Sequence, residues 1–246
     1  MIPVGIVASG RRASGGSWSP LGLPSLMVWL DGSDAATITM SGSNVATWAD
    51  KSGTGRDVSA VSGGPTRTVT QNGLLTLSFT GGAGMSRASA GLHATGGCIA
   101  VVMRTAGGGL PTYLSAPATI TTDNLPAPAD QWQTTTSNTM YAGLPKEEDP
   151  AWHDMRAQTS WGAVVTNRSV SGGTASAAQW LDGTQLRSAS VASHTWTSGT
   201  LTIGRRNDGA TWFVGDLAEV VITDAPLGST DRLALEAYLK AKWGTP

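Results

Sequence analysis

The sequence predicts an all-β fold, an antiparallel two-sheet β-sandwich with a short C-terminal helix and an extended N-terminal arm. Three observations carry that reading. The 246 residues include 32 glycines and 12 prolines, which demand many turns, alongside 40% hydrophobic residues, enough for a sizeable core. The apolar residues come in short runs or alternate with polar ones, which is the pattern of strands. Helical periodicity is plain only at the end of the chain. Sandwiches of this length form single units, so one domain is expected.

Residues 1–25 contain Ser14-Gly15-Gly16-Ser17 and then Pro20 and Pro24, a composition that disfavours both helix and central strand. They read as an extended arm. Its apolar residues Ile2, Val4, Ile6 and Val7 are costly to leave in water, so the arm either docks on its own domain or a neighbouring subunit, or is a loose terminus. Arg11 and Arg12 follow the apolar run instead of preceding it, which is not the layout of a secretory leader.

Residues 26–246 form the domain. It opens at Leu26-Met27-Val28-Trp29-Leu30, an apolar run that reads as a strand covered on both faces. Leu75, Leu77 and Phe79 alternate with Thr76 and Ser78, giving one core face and one wet face. Further strands are expected at 99–103, 161–166, 178–181, 201–204 and 212–223. Asp182-Gly183 between Leu181 and Thr184 predicts a two-residue hairpin, because both residues tolerate positive φ. From 123 to 156 the pattern weakens, with Pro126, Pro128, Pro145 and Pro150 spacing out Trp132, Tyr141 and Trp152. A long loop excursion is expected there, and long loops with aromatics are where binding surfaces sit.

The final helix is predicted from Leu235, Leu239 and Trp243, which recur every four residues. Ser229-Thr230-Asp231 serves as cap and acidic first turn, Lys240 and Lys242 stand near the end, and Gly244 follows.

Charged residues make up 13% of the chain and the formal net charge is -1, so no broad field exists to attract phosphate backbones, and nucleic acid is not an expected partner. No run approaches the length needed to span a bilayer. Cys98 is the single cysteine, which excludes an intramolecular disulfide, and its apolar neighbours predict a buried thiol. His93, His153 and His194 are far apart without partners at ligand spacing, so no transition-metal site is expected.

Two segments carry a family resemblance. One is Val28-Trp29-Leu30-Asp31-Gly32-Ser33-Asp34 with Val45-Ala46-Thr47-Trp48-Ala49-Asp50-Lys51-Ser52-Gly53-Thr54-Gly55-Arg56-Asp57. The other is Gly215-Asp216-Leu217-Ala218-Glu219-Val220-Val221-Ile222-Thr223-Asp224 with Pro226-Leu227 and the helix to Gly244. With Leu77-Ser78-Phe79-Thr80-Gly81 between them, these resemble the concanavalin A-like lectin/glucanase (laminin G-like) family over about residues 26–244, apart from the unmatched middle. The resemblance implies a jelly roll of the kind found in bacterial surface proteins, polysaccharide-active enzymes and tailed-phage virion proteins, and one fold hosts many activities.

Retaining glycosidases need two carboxylates about 5–5.5 Å apart. The chain has four Glu, at 147, 148, 219 and 236, and Asp216 and Glu219 are three apart on an expected strand, hence on opposite faces. The chain is therefore expected not to be an enzyme, with Asp216 anchoring a turn and Glu219 making a structural hydrogen bond or ion pair. Calcium is weighed because Asp31, Asp34, Asp50 and Asp57 cluster, but no Asp-x-Asp-x-Asp-Gly loop is present, and these residues also suit turn caps. No cofactor is expected.

Ten tryptophans against two phenylalanines is an unusual balance. Trp29, Trp48, Trp180, Trp212 and Trp243 fall in regular elements and read as core. Trp132 and Trp152 lie in the excursion, where an indole either stacks on a sugar ring or packs its own loop. Asn167-Arg168-Ser169 fits a glycosylation acceptor but reads as a chance match.

The leading expectation is a non-enzymatic structural protein of a tailed-phage virion, a decoration, spike or fibre-associated subunit. It would be assembled in the host cytoplasm, dock on other virion proteins through the arm, and serve as part of a homo-oligomer. The alternative is a carbohydrate-binding module for host-surface glycans, and a polysaccharide hydrolase ranks third.

Overall fold

A computed structural model describes residues 18–88, 96–105, 118–121, 131–133, 139–140, 153–154, 160–192, 200–205 and 212–246, with the four short segments from 118 to 154 described by their backbone. The arm residues Ile2, Val4, Ile6 and Val7 and the excursion residue Trp152 lie outside the described residues.

Nine strands precede residue 106: β1 (Leu26–Asp31), β2 (Ile38–Ser41), β3 (Asn44–Trp48), β4 (Val58–Ser62), β5 (Thr70–Gln71), β6 (Leu74–Leu75), β7 (Leu77–Thr80), β8 (Gly84–Arg87) and β9 (Gly96–Thr105). The middle supplies β10 (Ala118–Thr121), β11 (Gln131–Gln133), β12 (Thr139–Met140) and β13 (His153–Asp154). The last third supplies β14 (Gly162–Ser171), β15 (Thr174–Leu181), β16 (Thr184–Ala192), β17 (Leu201–Ile203), β18 (Val214–Thr223) and the helix α1 (Ser229–Trp243).

Among the described residues two seven-stranded antiparallel sheets stack as a sandwich, as expected. The first runs β1-β18-β9-β14-β15-β16, with β7 also paired to β18. The second runs β11-β10-β17-β8-β4-β3-β2. Strand β11, inside the expected excursion, thus joins the edge of the second sheet, where Trp132 stands in register with Ile120, itself opposite the core residue Ile203.

Two apolar layers explain why the first sheet reads as continuous apolar runs. Leu30, Val101, Val164, Leu217, Val220 and Ile222 face the second sheet, where they meet Val45, Trp48, Val58, Met85, Leu201 and Ile203. Trp29, Ala100, Val102, Val165, Ala218 and Val221 face away from it, where Leu235, Leu239 and Trp243 of α1 cover them. Strands β9, β14 and β18 are therefore apolar on both faces, and their alternation disappears.

Helix α1 differs from expectation at its start. Gly228 occupies the N-cap and no side chain caps the helix. Ser229 is already the first helical residue, so its hydroxyl is one position too late, and Asp231 alone complements the dipole. The end is as expected: Gly244 takes φ 63 and donates its N–H to Lys240 O at 2.8 Å. The β5–β6 hairpin adds two caps that the sequence did not announce, Gln71 Nε2 donating to Trp243 O at 2.6 Å and Asn72 Nδ2 to Lys242 O at 2.9 Å.

The predicted turn forms with Asp182 at φ 50 and Gly183 at φ 85, linking β15 to β16. Before the first strand, Pro20 and Leu23 are buried, and the Trp18 ring lies 5.5 Å from that of Tyr238 on α1. Residues 18–25 therefore lie against the domain. Among the described residues no helix is long and apolar enough to cross a membrane.

Candidate functional site

The acidic residues come first, since they carry the question of chemistry. Asp216 and Glu219 do not lie on opposite faces as expected. In the β18–β9 pairing Leu217 registers with Met103 and Glu219 with Val102, so Ala218 is an extra residue, a bulge that resets the alternation. Leu217 faces the second sheet, while Ala218 and Val221 face α1. Asp216, bonded to Arg104 Nε at 2.6 Å beneath Trp161, shares that α1-side face with Glu219.

Glu219 is nonetheless closed to any substrate. It is 0% exposed and accepts four hydrogen bonds. Trp29 Nε1 and Tyr238 Oη donate to Oε1 at 2.6 and 2.9 Å, and Trp243 Nε1 and Lys242 Nζ donate to Oε2 at 2.6 and 2.8 Å. Burial pushes its pKa up, and the Lys242 ammonium opposes that rise. The expected structural role is what the geometry gives it.

The four aspartates of the matched segment are engaged as turn caps and ion pairs. Asp31 pairs with Lys51 and Lys242, Asp34 accepts from Ala36 N and Lys51, and Asp57 accepts from Asp50 N. Asp50 accepts from the N–H groups of Trp29, Ser52 and Arg56 and from the hydroxyls of Ser52 and Thr54. Among the described residues no three His, Cys, Asp or Glu side chains gather to hold a metal ion. His153 lies on β13, while His93 and His194 lie outside the described residues. Cys98 is buried as expected, and that burial pushes its thiol up to about 12.

Among the described residues a hollow of ligand size lies elsewhere, on the α1 side of β14, β15 and β16. Two tight turns bring these long strands together. Gly172-Gly173, at φ 58 and 78, joins β14 to β15, and Asp182-Gly183 joins β15 to β16. Register then stacks small residues in rows. Ser169, Ser176 and Ser190 form one row, and Asn167, Ala178 and Ser188 the next. These short side chains floor a groove of about 460 Å³, with Trp180 at one end and Pro226 on the wall. Ser176 Oγ and Ser190 Oγ are 2.8 Å apart. Asn167 holds the Pro226 wall in place, its Nδ2 donating to Leu227 O at 2.8 Å and its Oδ1 accepting from Leu227 N at 3.0 Å. Both polar atoms of Asn167 are thereby used within the domain, which accords with reading Asn167-Arg168-Ser169 as a chance match.

Trp180 corrects an expectation. Trp29, Trp48 and Trp243 are core, but Trp180 and Trp212 are only partly buried, and Trp180 lines the groove. The signal was present in the sequence: Trp180 shares its alternation with Ala178 and Ser176, small or polar residues of a surface face. Of the expected stacking pair, Trp132 is placed on β11 by its backbone and Trp152 lies outside the described residues.

No protein-family model matches the chain. No curated protein matches it in sequence. Solved structures do match in fold. A sialidase from Trypanosoma rangeli superposes with a TM-score of 0.58 at 12% identity, over 90% of this chain and 33% of that one. An arabinofuranosidase complexed with arabinofuranosyl-alpha-1,2-xylobiose gives 0.54 at 11% identity, over 81% of this chain and 51% of that one. Domain 4 of a GH43 extracellular arabinanase from Geobacillus stearothermophilus, in complex with arabinotriose, gives 0.52 at 12% identity, over 86% of this chain and 98% of that domain. The chain thus spans a third of the sialidase and half of the arabinofuranosidase, and at this identity the likeness is one of fold, a β-sandwich carried by carbohydrate-acting proteins.

One expectation falls on this finding. The chain was expected not to be an enzyme, yet these neighbours are all glycoside hydrolases or parts of one. The exclusion also leaned on Asp216 and Glu219 facing apart, and the bulge at Ala218 removes that ground.

Proposed function

We propose that this chain is a carbohydrate-recognition domain whose groove on β14–β16 takes a neutral oligosaccharide. The groove itself carries the reading. Its outward residues Ser169, Ser176, Ala178, Ser188, Ser190 and Trp180 bear no charge, the one charged residue of the lining, Arg168, is buried beneath them, and the 460 Å³ falls in the range of small-ligand sites. A sugar offers hydroxyls that exchange hydrogen bonds with serine and a C–H face that stacks on an indole, and both partners are present here. The arabinanase domain that matches almost end to end, in complex with a trisaccharide, supports the same reading.

A glycan array of neutral and acidic oligosaccharides, followed by calorimetry on the best ligand, tests it. Trp180→Ala is expected to weaken binding at least tenfold while the melting temperature holds. An array without hits, or a hit indifferent to Trp180→Ala, would sink the groove. Trp132 and Trp152 belong to the proposal as a second stacking surface, and Trp132→Ala and Trp152→Ala in the same assay decide their part.

A second reading concerns the setting. Following the concanavalin A-like resemblance, we propose display on a tailed-phage virion, with residues 1–17 docking the domain on other virion proteins. The ring contact of Trp18 with Tyr238 favours it, because the described part of the chain begins packed against α1. Deleting residues 2–17 should leave a folded domain that no longer joins its particle, and normal incorporation of the truncation would refute the docking role.

A further inference from the structure

The groove has one aromatic wall on its floor strands, and that wall is supported from behind by a different element. The Arg232 guanidinium lies 4.3 Å from the centroid of the Trp180 ring, and its Nη1 donates to both carboxylate oxygens of Glu236, at 2.6 and 2.7 Å. Trp180 lines the groove, whereas Arg232 and Glu236 do not. Resting on the carbohydrate reading, we infer that Glu236 and Arg232 are positioning residues that fix the Trp180 indole as a preorganised stacking wall.

The physical case has three parts. First, Trp180 stands where the strand pairing is broken. Its neighbours on the same face are Ala178 along the strand, Val165 opposite on β14 and Gln185 opposite on β16, and the pairing with β16 shifts register between Gln179 and Trp180. The Arg232 guanidinium lies over the ring itself. Second, the brace is rigid. Arg232 and Glu236 are one helical turn apart, with side chains 12% and 8% exposed, so water competes weakly for their ion pair. Third, their helix is itself fixed, through Leu235, Leu239 and Trp243 in the core and through the Glu219 bonds. A planar guanidinium stacks on an aromatic face in a way an ammonium does not.

Ordering a side chain before a ligand arrives spares the association that cost, which converts to about three- to tenfold in affinity. Arg232 is not among the residues that line the groove, so the cation that braces Trp180 stands outside it.

The test uses the full chain and two readouts. Nitrogen NMR relaxation of the Trp180 indole N–H, assigned by its loss in Trp180→Phe, reports the order of the ring without any ligand. Affinity for the best neutral oligosaccharide from the array, with arabinotriose always included, reports the consequence. In Arg232→Met, which keeps the aliphatic stem, the indole should become mobile on the nanosecond scale and affinity should drop about three- to tenfold, with partial recovery in Arg232→Lys. Glu236→Gln should give a smaller change of the same sign, and serves if Arg232→Met unfolds. An indole equally ordered in Arg232→Met and Glu236→Gln would overturn the relay and leave the groove reading standing. Binding unaffected by Trp180→Ala would instead sink the groove reading, while the relaxation data would still decide whether the brace exists.

Discussion

Asp31 and Glu219 stand opposite each other in the β1–β18 register and share one ammonium, Lys242 Nζ lying 2.8 Å from a carboxylate oxygen of each. Two like charges in neighbouring strand positions repel, and the lysine of α1 between them turns that repulsion into a fastening for the helix. Glu219 adds both Trp29 and Trp243 as donors, so strand β1, strand β18 and α1 meet on one carboxylate. Any change at that carboxylate reaches all three.

Glu219→Gln should therefore cost roughly 3–5 kcal/mol, the range for breaking a buried pair by removing one partner. The amide nitrogen would point at a donor, and Lys242 would lose half of its neutralisation. Urea denaturation read by tryptophan fluorescence measures this. A loss below about 1 kcal/mol would mean that the cluster does not hold the helix.

Asp50 should contribute to the loss of stability in the acid range, beside Asp31 and Asp34, whose pKa values are lowered as well. Burial opposes the ionisation of Asp50, but hydrogen bonds from Trp29, Ser52 and Arg56 outweigh it and lower its pKa below the ordinary 3.8. A lowered folded pKa gives stability that is full above 3.8 and is lost as pH falls through the folded value. Glu219 has the opposite sign: its pKa is raised above 4.5 by burial, so its share of stability grows as pH falls through its folded value. Asp50→Asn should thus be less stable than the parent at neutral pH, with the gap closing below pH 3.8. A gap that stays constant through the acid range would exclude Asp50 as a contributor.

Gly204 is a packing constraint. It has φ +79, and a Cβ there would overlap the Phe79 ring, which already meets Phe213 edge-on at 5.9 Å. Phe213 N also donates to Gly204 O at 2.8 Å, so the backbone has no room to retreat. Gly204→Ala should cost roughly 2–4 kcal/mol, the sum of left-handed strain and overpacking. Thermal melting of the variant checks this, and an unchanged midpoint would show that the core yields at this point.

Ala178 is a partly exposed residue of the groove floor, between Asn167 and Ser188 in the strand register. Ala178→Leu should leave stability within about 0.5 kcal/mol while filling the space above the floor. Calorimetry with the array's best oligosaccharide should show binding weakened at least tenfold. Unchanged affinity would place the ligand elsewhere.

Much of the fold was legible wherever the deciding interactions are local. The apolar run from Leu26 to Leu30, the Asp182-Gly183 hairpin and the four-residue spacing of Leu235, Leu239 and Trp243 each declare their element within a few residues. The candidate site was far less legible. Trp180 looked like core because it lies in a strand, although its alternation with Ala178 and Ser176 pointed outward. The faces of Asp216 and Glu219 were misread because a bulge at Ala218 leaves no mark in composition.

The sequence by itself determined that strands would dominate, that a hairpin turns at Asp182-Gly183, and that a helix with one apolar stripe follows the last strand, since those depend on backbone preference and on the period of apolar residues. Tertiary structure alone decided which strands pair, that Glu219 would meet Trp29 from 190 residues away, and that three small-residue strands would lie side by side beneath Trp180. Those outcomes depend on contacts between distant segments, and the free energy that selects them exists only once both sheets and the helix are packed.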